Sequence, residues 1–154
     1  MFLAQNFTLI KGKGTDFDYK IVSFDAALKS AGIGDFNVVK VSSILPPQSI
    51  INKHIEVSKG SVLYVAYATN TIYGKGRTSS AISVGIPQNS SDIGVIMEYS
   101  SEESEQEVID HSRYMVKKAM DSRDILLKEI VSVGIEAVQN ENAYLTTFAG
   151  IALW

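Results

Sequence analysis

The sequence has no cysteine. That excludes disulfides, thiolate metal sites and a cysteine nucleophile, and it fits a cytoplasmic protein. Histidine is nearly as scarce, with only His54 and His111. A serine–histidine–acid triad would have to use one of them. Yet His54 lies in the polar stretch INKHIEVSKG and His111 falls within a predicted helix, and no nucleophile is placed near either. Nothing repeats at zinc-ligand spacing, so no metal is expected. The chain carries 14 basic and 17 acidic residues, a net charge of −3, with no basic run. Nucleic-acid binding therefore lacks an electrostatic footprint. No apolar run is long enough to span a bilayer, so no membrane attachment is expected. The start, MFLAQNFTLIKGKG, has no basic segment ahead of its apolar residues and no small-residue cleavage site, so it is not read as a signal peptide. An enzyme without cysteine, a well-placed histidine or a nucleotide motif must draw its electrophile from elsewhere.

What is present is ordinary globular material. The 154 residues are 45% apolar and 20% charged, enough for one domain over residues 1–154 with a real core. Gly12 and Gly14 punctuate a polar segment, and Tyr19 to Val22 reads as a short strand or lead-in. Ser23 is placed as the N-cap of a helix whose Phe24, Ala27, Leu28 and Ala31 share one face, with Gly32 ending it. Asn37 to Ser42 reads as a valine-rich strand. Pro46 and Pro47 then stop any ladder, so SSILPP leaves the strand taut and extended. Gln48 to Gly60 is a loop with room for a short strand. SVLYVAYATNTI, TSSAISVGIP and GVIMEYS are strands, the first two separated by the glycine-containing turn from Tyr73 to Arg77. Ser100 with Glu103 matches a capping box for a second helix running to about Asp121. Its apolar face holds Val108, Val116 and Met120. Leu126 to Val138 alternates as a strand, QNEN reads as a hairpin turn, and AYLTTFAGIALW returns as the last strand. Ala149, Gly150 and Ala152 suggest close packing against another layer or subunit, and Trp154 calls for a partner surface. Two helices and six or seven strands point to an α+β fold, with sheets covered by helices.

The stretch KVSSILPPQ, Lys40 to Gln48, places two serines just before the double proline. One reading is a strand end and a turn. The other is chemical. The Ser43 hydroxyl can attack the carbonyl of Ser42 and turn the amide into an ester, which a strained turn and fixed oxyanion donors would favour. Elimination then frees Ser42 as a new C-terminus and leaves dehydroalanine at 43, which hydrolyses to ammonia and a pyruvoyl group. That ketone, conjugated to an amide, can form a Schiff base with an amine substrate and act as an electron sink without pyridoxal phosphate or a metal.

VVKVSSILPPQ resembles the processing segment of the pyruvoyl-dependent arginine decarboxylases: a basic residue, an aliphatic, Ser-Ser, Ile, one residue, Pro-Pro. The resemblance extends through FDAALKSAGIGDFNVVKVSSILPP, AISVGIP, GVIMEYS and the ending AGIALW, covering about Ser23 to Trp154. It implies a four-layer αββα sandwich. It also implies cleavage between Ser42 and Ser43 into residues 1–42, the β chain, and 43–154, the α chain. Assembly would be a trimer or dimer of trimers with sites between neighbours. The implied activity converts L-arginine to agmatine and carbon dioxide, through a Schiff base on a pyruvoyl group formed from Ser43, for polyamine biosynthesis or for acid resistance. Within it, Glu98 of IMEY matches the acid that protonates the intermediate after decarboxylation, in a site where Ile96 and Met97 provide apolar surroundings. Asp25 matches an aspartate suited to a guanidinium. Asn37 matches an asparagine that assists cleavage or contacts substrate, and Ser42 keeps a role through its new carboxylate. Lys40 takes the family's basic position and is read as structural or surface. Two alternatives stay open: the same chemistry on ornithine, lysine or histidine, or an uncleaved, non-catalytic trimeric binding protein of the same fold.

Overall fold

Gly12 and Gly14 do not break a strand; they lie within one. In the computed structural model, which describes residues 2–154, the first strand is β1 (Asn6–Asp16). A Cβ on Gly12 would overlap the carbonyl oxygen of Ala27, and one on Gly14 would overlap the backbone of Ser23 and Ala27. The two glycines thus let the helix α1 (Lys20–Ser30) lie directly on the strand. The chain turns between them through Asp16, whose Oδ1 accepts the N–H groups of Asp18 at 2.9 Å and Tyr19 at 2.6 Å. Helix therefore begins at Lys20, where the sequence suggested a strand. Ser23 is not its N-cap: it faces inward, and its Oγ lies 2.7 Å from Thr146 Oγ1. Gly32 follows the helix with φ +80°, as its placement predicts.

The remaining elements, in chain order, are strands β2 (Asn37–Lys40), β3 (Ile44–Leu45), β4 (Ile50–Ile51), β5 (Val62–Tyr73), β6 (Gly76–Pro87) and β7 (Gly94–Ser101), helix α2 (Glu105–Asp121), then β8 (Leu127–Gln139) and β9 (Tyr144–Leu153). They form two sheets, ordered β2-β5-β9-β1-β4 and β3-β7-β6-β8. The sheets pack face to face around Phe7, Ala66, Ile82, Val84, Ile96 and Ile151. Helix α1 covers the outer face of the first sheet through Ala27, which meets Leu63, Val65 and Phe148. Helix α2 covers the second through Val116 and Met120, which meet Val95. The result is the expected four-layer α+β sandwich.

Two local expectations change. The serine-rich stretch before α2 contains a second capping register. Ser100 is consumed by the β7–β6 ladder, opposite Ser80. Ser104 caps α2 instead, with a reciprocal bond from its own N–H to the Glu107 carboxylate. The turn after β8 is not a hairpin: β8 pairs with β6 and β9 pairs between β1 and β5, so the turn carries the chain from one sheet to the other. Trp154 finds its partner within the chain, packing on the α1 side and exchanging backbone hydrogen bonds with Asn6. Ala152 is buried against that same layer, and Ala149 lies between the sheets.

The interior between the sheets is graded. Beyond the aliphatic cluster it becomes hydroxylic, with Thr147 Oγ1 bonded to Ser80 at 2.9 Å and Thr78 at 3.2 Å. Every buried side-chain nitrogen and oxygen among the described residues has a hydrogen-bond partner. Among those residues no helix is long and apolar enough to cross a membrane.

Candidate active site

The serine pair is the point at which the chain passes from one sheet to the other. On its N-terminal side β2 runs parallel to β5, and the ladder continues past Lys40, because Val41 N–H donates to the Val65 carbonyl at 3.1 Å. On its C-terminal side Ile96 N–H donates to the Ser43 carbonyl at 2.7 Å, and β3 then pairs with β7 through Ile44 and Val95. The Ser42–Ser43 bond is therefore strung between two anchored strands. The double proline has the effect expected of it: β3 stops at Leu45, and no further ladder forms until β4.

Around this bond lies a cavity of about 120 Å³ lined by Lys40, Val41, Ser42, Ser43, Ala66, Ile96 and Glu98. Ala66 and Ile96 form its buried apolar wall. Glu98 reaches it because residues two apart on a strand share a face, and Ile96 already points between the sheets. Met97 points the other way, into the α2 layer, so it does not contribute to the surroundings of Glu98 as the sequence suggested. A second, more apolar cavity of about 340 Å³ opens on the other side of Ser42, lined by Phe2, Leu3, Val41, Ile44, Pro46 and Tyr64 among others.

Lys40 has a larger part than its sequence position indicated. Its Nζ donates to Glu98 Oε1 at 2.8 Å, and both side chains are partly exposed. The same ammonium sits 4.6 Å from the centroid of the Tyr67 ring. Tyr67 is in turn packed on Phe148 and Phe24, with ring centroids at 5.1 and 6.2 Å. The only signal in the sequence was the i, i+2 spacing of Lys40 and Ser42, which places both on one side of an extended chain. The glutamate on the facing sheet was not visible there.

Within one chain, Asn37 and Asp25 do not join this group. Asn37 sits at the far end of β2, about 20 Å from Ser43 by the ordinary strand rise. Its Nδ2 donates to the Gly60 carbonyl at 2.7 Å. Asp25 is exposed on α1. Both lie beside exposed apolar side chains: Val39 and Val62 near Asn37, Ile21 and Val22 near Asp25.

Farther along β7 the charges are organised differently. Ser101 Oγ donates to Glu103 at 2.8 Å, and His111 Nε2 lies 3.4 Å from the other carboxylate oxygen. The Ser101 bond, with help from His111, holds the Glu103 carboxyl below its usual range. Desolvation, and then the charge of Glu103, push the neighbouring Tyr99 phenol up. This cluster ties α2 to the strand that carries Glu98. Among the described residues no group of three or more histidine, aspartate or glutamate side chains is arranged to hold a metal ion.

The chain is thus a mixed α+β sandwich whose two sheets are bridged by a serine pair, with a carboxylate in the same cavity. The family model for pyruvoyl-dependent arginine decarboxylase matches residues 6–154. The chain is 37% identical over 149 residues to the pyruvoyl-dependent arginine decarboxylase of Methanococcus aeolicus, covering 96% of this chain and 88% of that one. It is 37% identical over 156 residues to that of Methanococcus vannielii, covering 99% and 93%. To that of Methanocaldococcus jannaschii it is 33% identical over 153 residues, covering 99% and 91%. The chain belongs to the pyruvoyl-dependent arginine decarboxylase family.

Proposed function

We propose that this protein cleaves itself between Ser42 and Ser43 and then decarboxylates L-arginine to agmatine in the cytoplasm. The observation that carries the reading is the Ser42–Ser43 bond held between two sheets, with Glu98 in the same cavity. In processing, Ser43 Oγ adds to the Ser42 carbonyl carbon and the amide becomes an ester. Loss of the Cα proton of residue 43 then breaks its Cβ–O bond, leaving dehydroalanine and releasing Ser42 as a carboxylate. One water then replaces the nitrogen of residue 43, which leaves as ammonia. Cleavage yields residues 1–42 and 43–154.

The surroundings suit a ketone at residue 43. Ser43 faces a small cavity whose wall is the buried pair Ala66 and Ile96, and its own carbonyl is fixed by Ile96 N–H. The pyruvoyl group supplies an electrophilic carbonyl and a place for the electron pair released with carbon dioxide. The protein's own residues do the rest. Glu98 returns a proton from its carboxyl oxygen to the substrate carbon. Ala66 and Ile96 keep one side of the reacting centre free of water.

Asp25 and Asn37 enter from a neighbouring subunit in a trimer, single or paired. The exposed Ile21, Val22, Val39 and Val62 around them favour such contacts. Asp25 would receive the substrate's guanidinium, whose planar fork suits a carboxylate.

Intact mass spectrometry of the denatured protein tests processing. Two chains are expected, with residue 43 carrying a ketone in place of its amine. Agmatine formation from arginine, compared with ornithine, lysine and histidine, tests the substrate. Asp25→Asn is expected to raise KM for arginine roughly 10- to 100-fold, as loss of a charge-assisted contact would, and to leave cleavage unchanged. An uncut chain of full length after long incubation would overturn the reading.

A further inference from the structure

Resting on the processing reading above, we propose that Lys40 is a positioning residue that changes partner when the chain is cut. In the uncut chain it is the counter-ion of Glu98; in the cut chain it is the counter-ion of the new Ser42 carboxylate.

The uncut state is the one described. Lys40 Nζ is 2.8 Å from Glu98 Oε1, and no other charged side chain among the described residues lines the cavity. An acid whose carboxylate is tied to an ammonium is poorly prepared to hold a proton for delivery to carbon. Something must loosen that pair before Glu98 can serve as proposed.

Cleavage supplies it. Before the cut the cavity contains one ammonium and one carboxylate. The cut turns the neutral Ser42 amide into a second carboxylate, while the nitrogen of residue 43 departs and leaves no positive charge behind. One cation then faces two anions in about 120 Å³ beside an apolar wall. Like charges so placed repel, and one ammonium cannot serve both as close counter-ion.

The geometry directs which carboxylate Lys40 takes. Lys40 and Ser42 are two residues apart on an extended segment, on the same side, and both line the cavity. Val41 stays bonded to Val65 in the first sheet, so the new terminus remains beside Lys40. The ammonium has a fixed seat on the Tyr67 ring, which Phe148 and Phe24 hold in place. Its three donors can turn from Glu98 to Ser42 without the chain moving. The cut itself thus releases Glu98 from its counter-ion.

The test uses carbon-13 NMR on the full-length protein. With serine labelled at its carbonyl carbon, Ser42 is the only serine able to give a carboxylate signal, and only after cleavage. With glutamate labelled at its side-chain carboxyl, Glu98 is the signal lost in Glu98→Gln. Lys40→Met, with Lys40→Gln as a second neutral variant, is expected to shift the Glu98 signal in uncut Ser43→Ala protein. In cut protein the same variants are expected to shift the Ser42 signal, and Lys40→Arg to restore it. The Glu98 signal should differ between uncut and cut protein, as its ammonium partner leaves. An unshifted Ser42 signal in cut Lys40→Met, or a Glu98 signal alike before and after cleavage, would overturn the proposal while leaving processing intact. A wild-type chain that never splits would overturn both, and denatured mass separates that case from the others.

Discussion

The carbonyl oxygen of Ser43 accepts the backbone N–H of Ile96 at 2.7 Å, tying the second serine of the pair to β7. Val41 is tied to β5 on the other side. Ser42 lies between these two fixed points, so the Ser42 carbonyl is the one left for a nucleophile. The two serines are thus unequal: in the proposed processing, one contributes its hydroxyl and the other its carbonyl.

That inequality gives a direct prediction. Ser43→Ala removes the nucleophile and should leave a single chain of full length with the same fold. Ser42→Ala keeps the carbonyl and should still split into two chains. Denaturing mass spectrometry with circular dichroism reads both outcomes, and equal behaviour of the two variants would refute the assignment.

Glu98→Gln keeps the side chain's size and removes its acidity. The variant should still be cut, because the cleavage chemistry assigned to Ser43 does not use Glu98. Agmatine formation should fall by about 100- to 10,000-fold, the usual range for a lost general acid. Parallel measurement of cleavage and kcat distinguishes this from a failure to process.

The two helices should differ in their tolerance of added bulk beneath them. Under α1, a side chain on Gly14 meets backbone atoms of Ser23 and Ala27, which cannot step aside. Gly14→Val should therefore destabilise the fold by about 1–3 kcal/mol or more. Under α2, a Cβ on Gly134 meets the end of the Ile109 side chain at 2.7 Å, which can rotate away. Gly134→Ala should cost less, and thermal unfolding of the two variants tests the order.

At the start of α2, Ser104→Ala should cost about 1 kcal/mol at neutral pH, as loss of an N-cap does. The Ser104 side-chain bond, followed by its backbone N–H, holds the Glu107 carboxyl below the ordinary value of 4.5. A lowered folded-state value stabilises the fold above pH 4.5, and that contribution fades as pH falls through the folded-state value. The gap between wild type and Ser104→Ala should therefore narrow in acid. Urea unfolding at a series of pH values would reveal it.

Strands with β-branched runs, such as β5, were legible because their pattern is local. Helix α1 was legible through Ala27 and Gly32, but its start was not. The turn depends on Asp16 accepting two backbone N–H groups, and Ser23 has its partner 123 residues away. Strand β1 was hidden because Gly12 and Gly14 are common breakers, and here they make room for a helix instead. The sequence also offered two capping registers, and only pairing with Ser80 shows why the first is not used. At the site, the serine pair and Glu98 were found through family resemblance, and the fold brings them into one cavity. The ion pair of Lys40 and Glu98 joins residues on different sheets, so no spacing rule reaches it.

Strand β1 lies inside the first sheet, paired with β9 from Phe7 to Asp16. Under the proposed cleavage it belongs to the shorter product, together with α1 and β2. The folding problem therefore changes when the bond is cut. An intact chain closes the sheet as one molecule, with both halves tethered. A cut chain, once unfolded, must find its other half by diffusion, so its refolding becomes second order and depends on concentration. The proposed processing would make assembly a one-way event in practice: the tether is present while the sandwich forms and gone once the sandwich can hold itself.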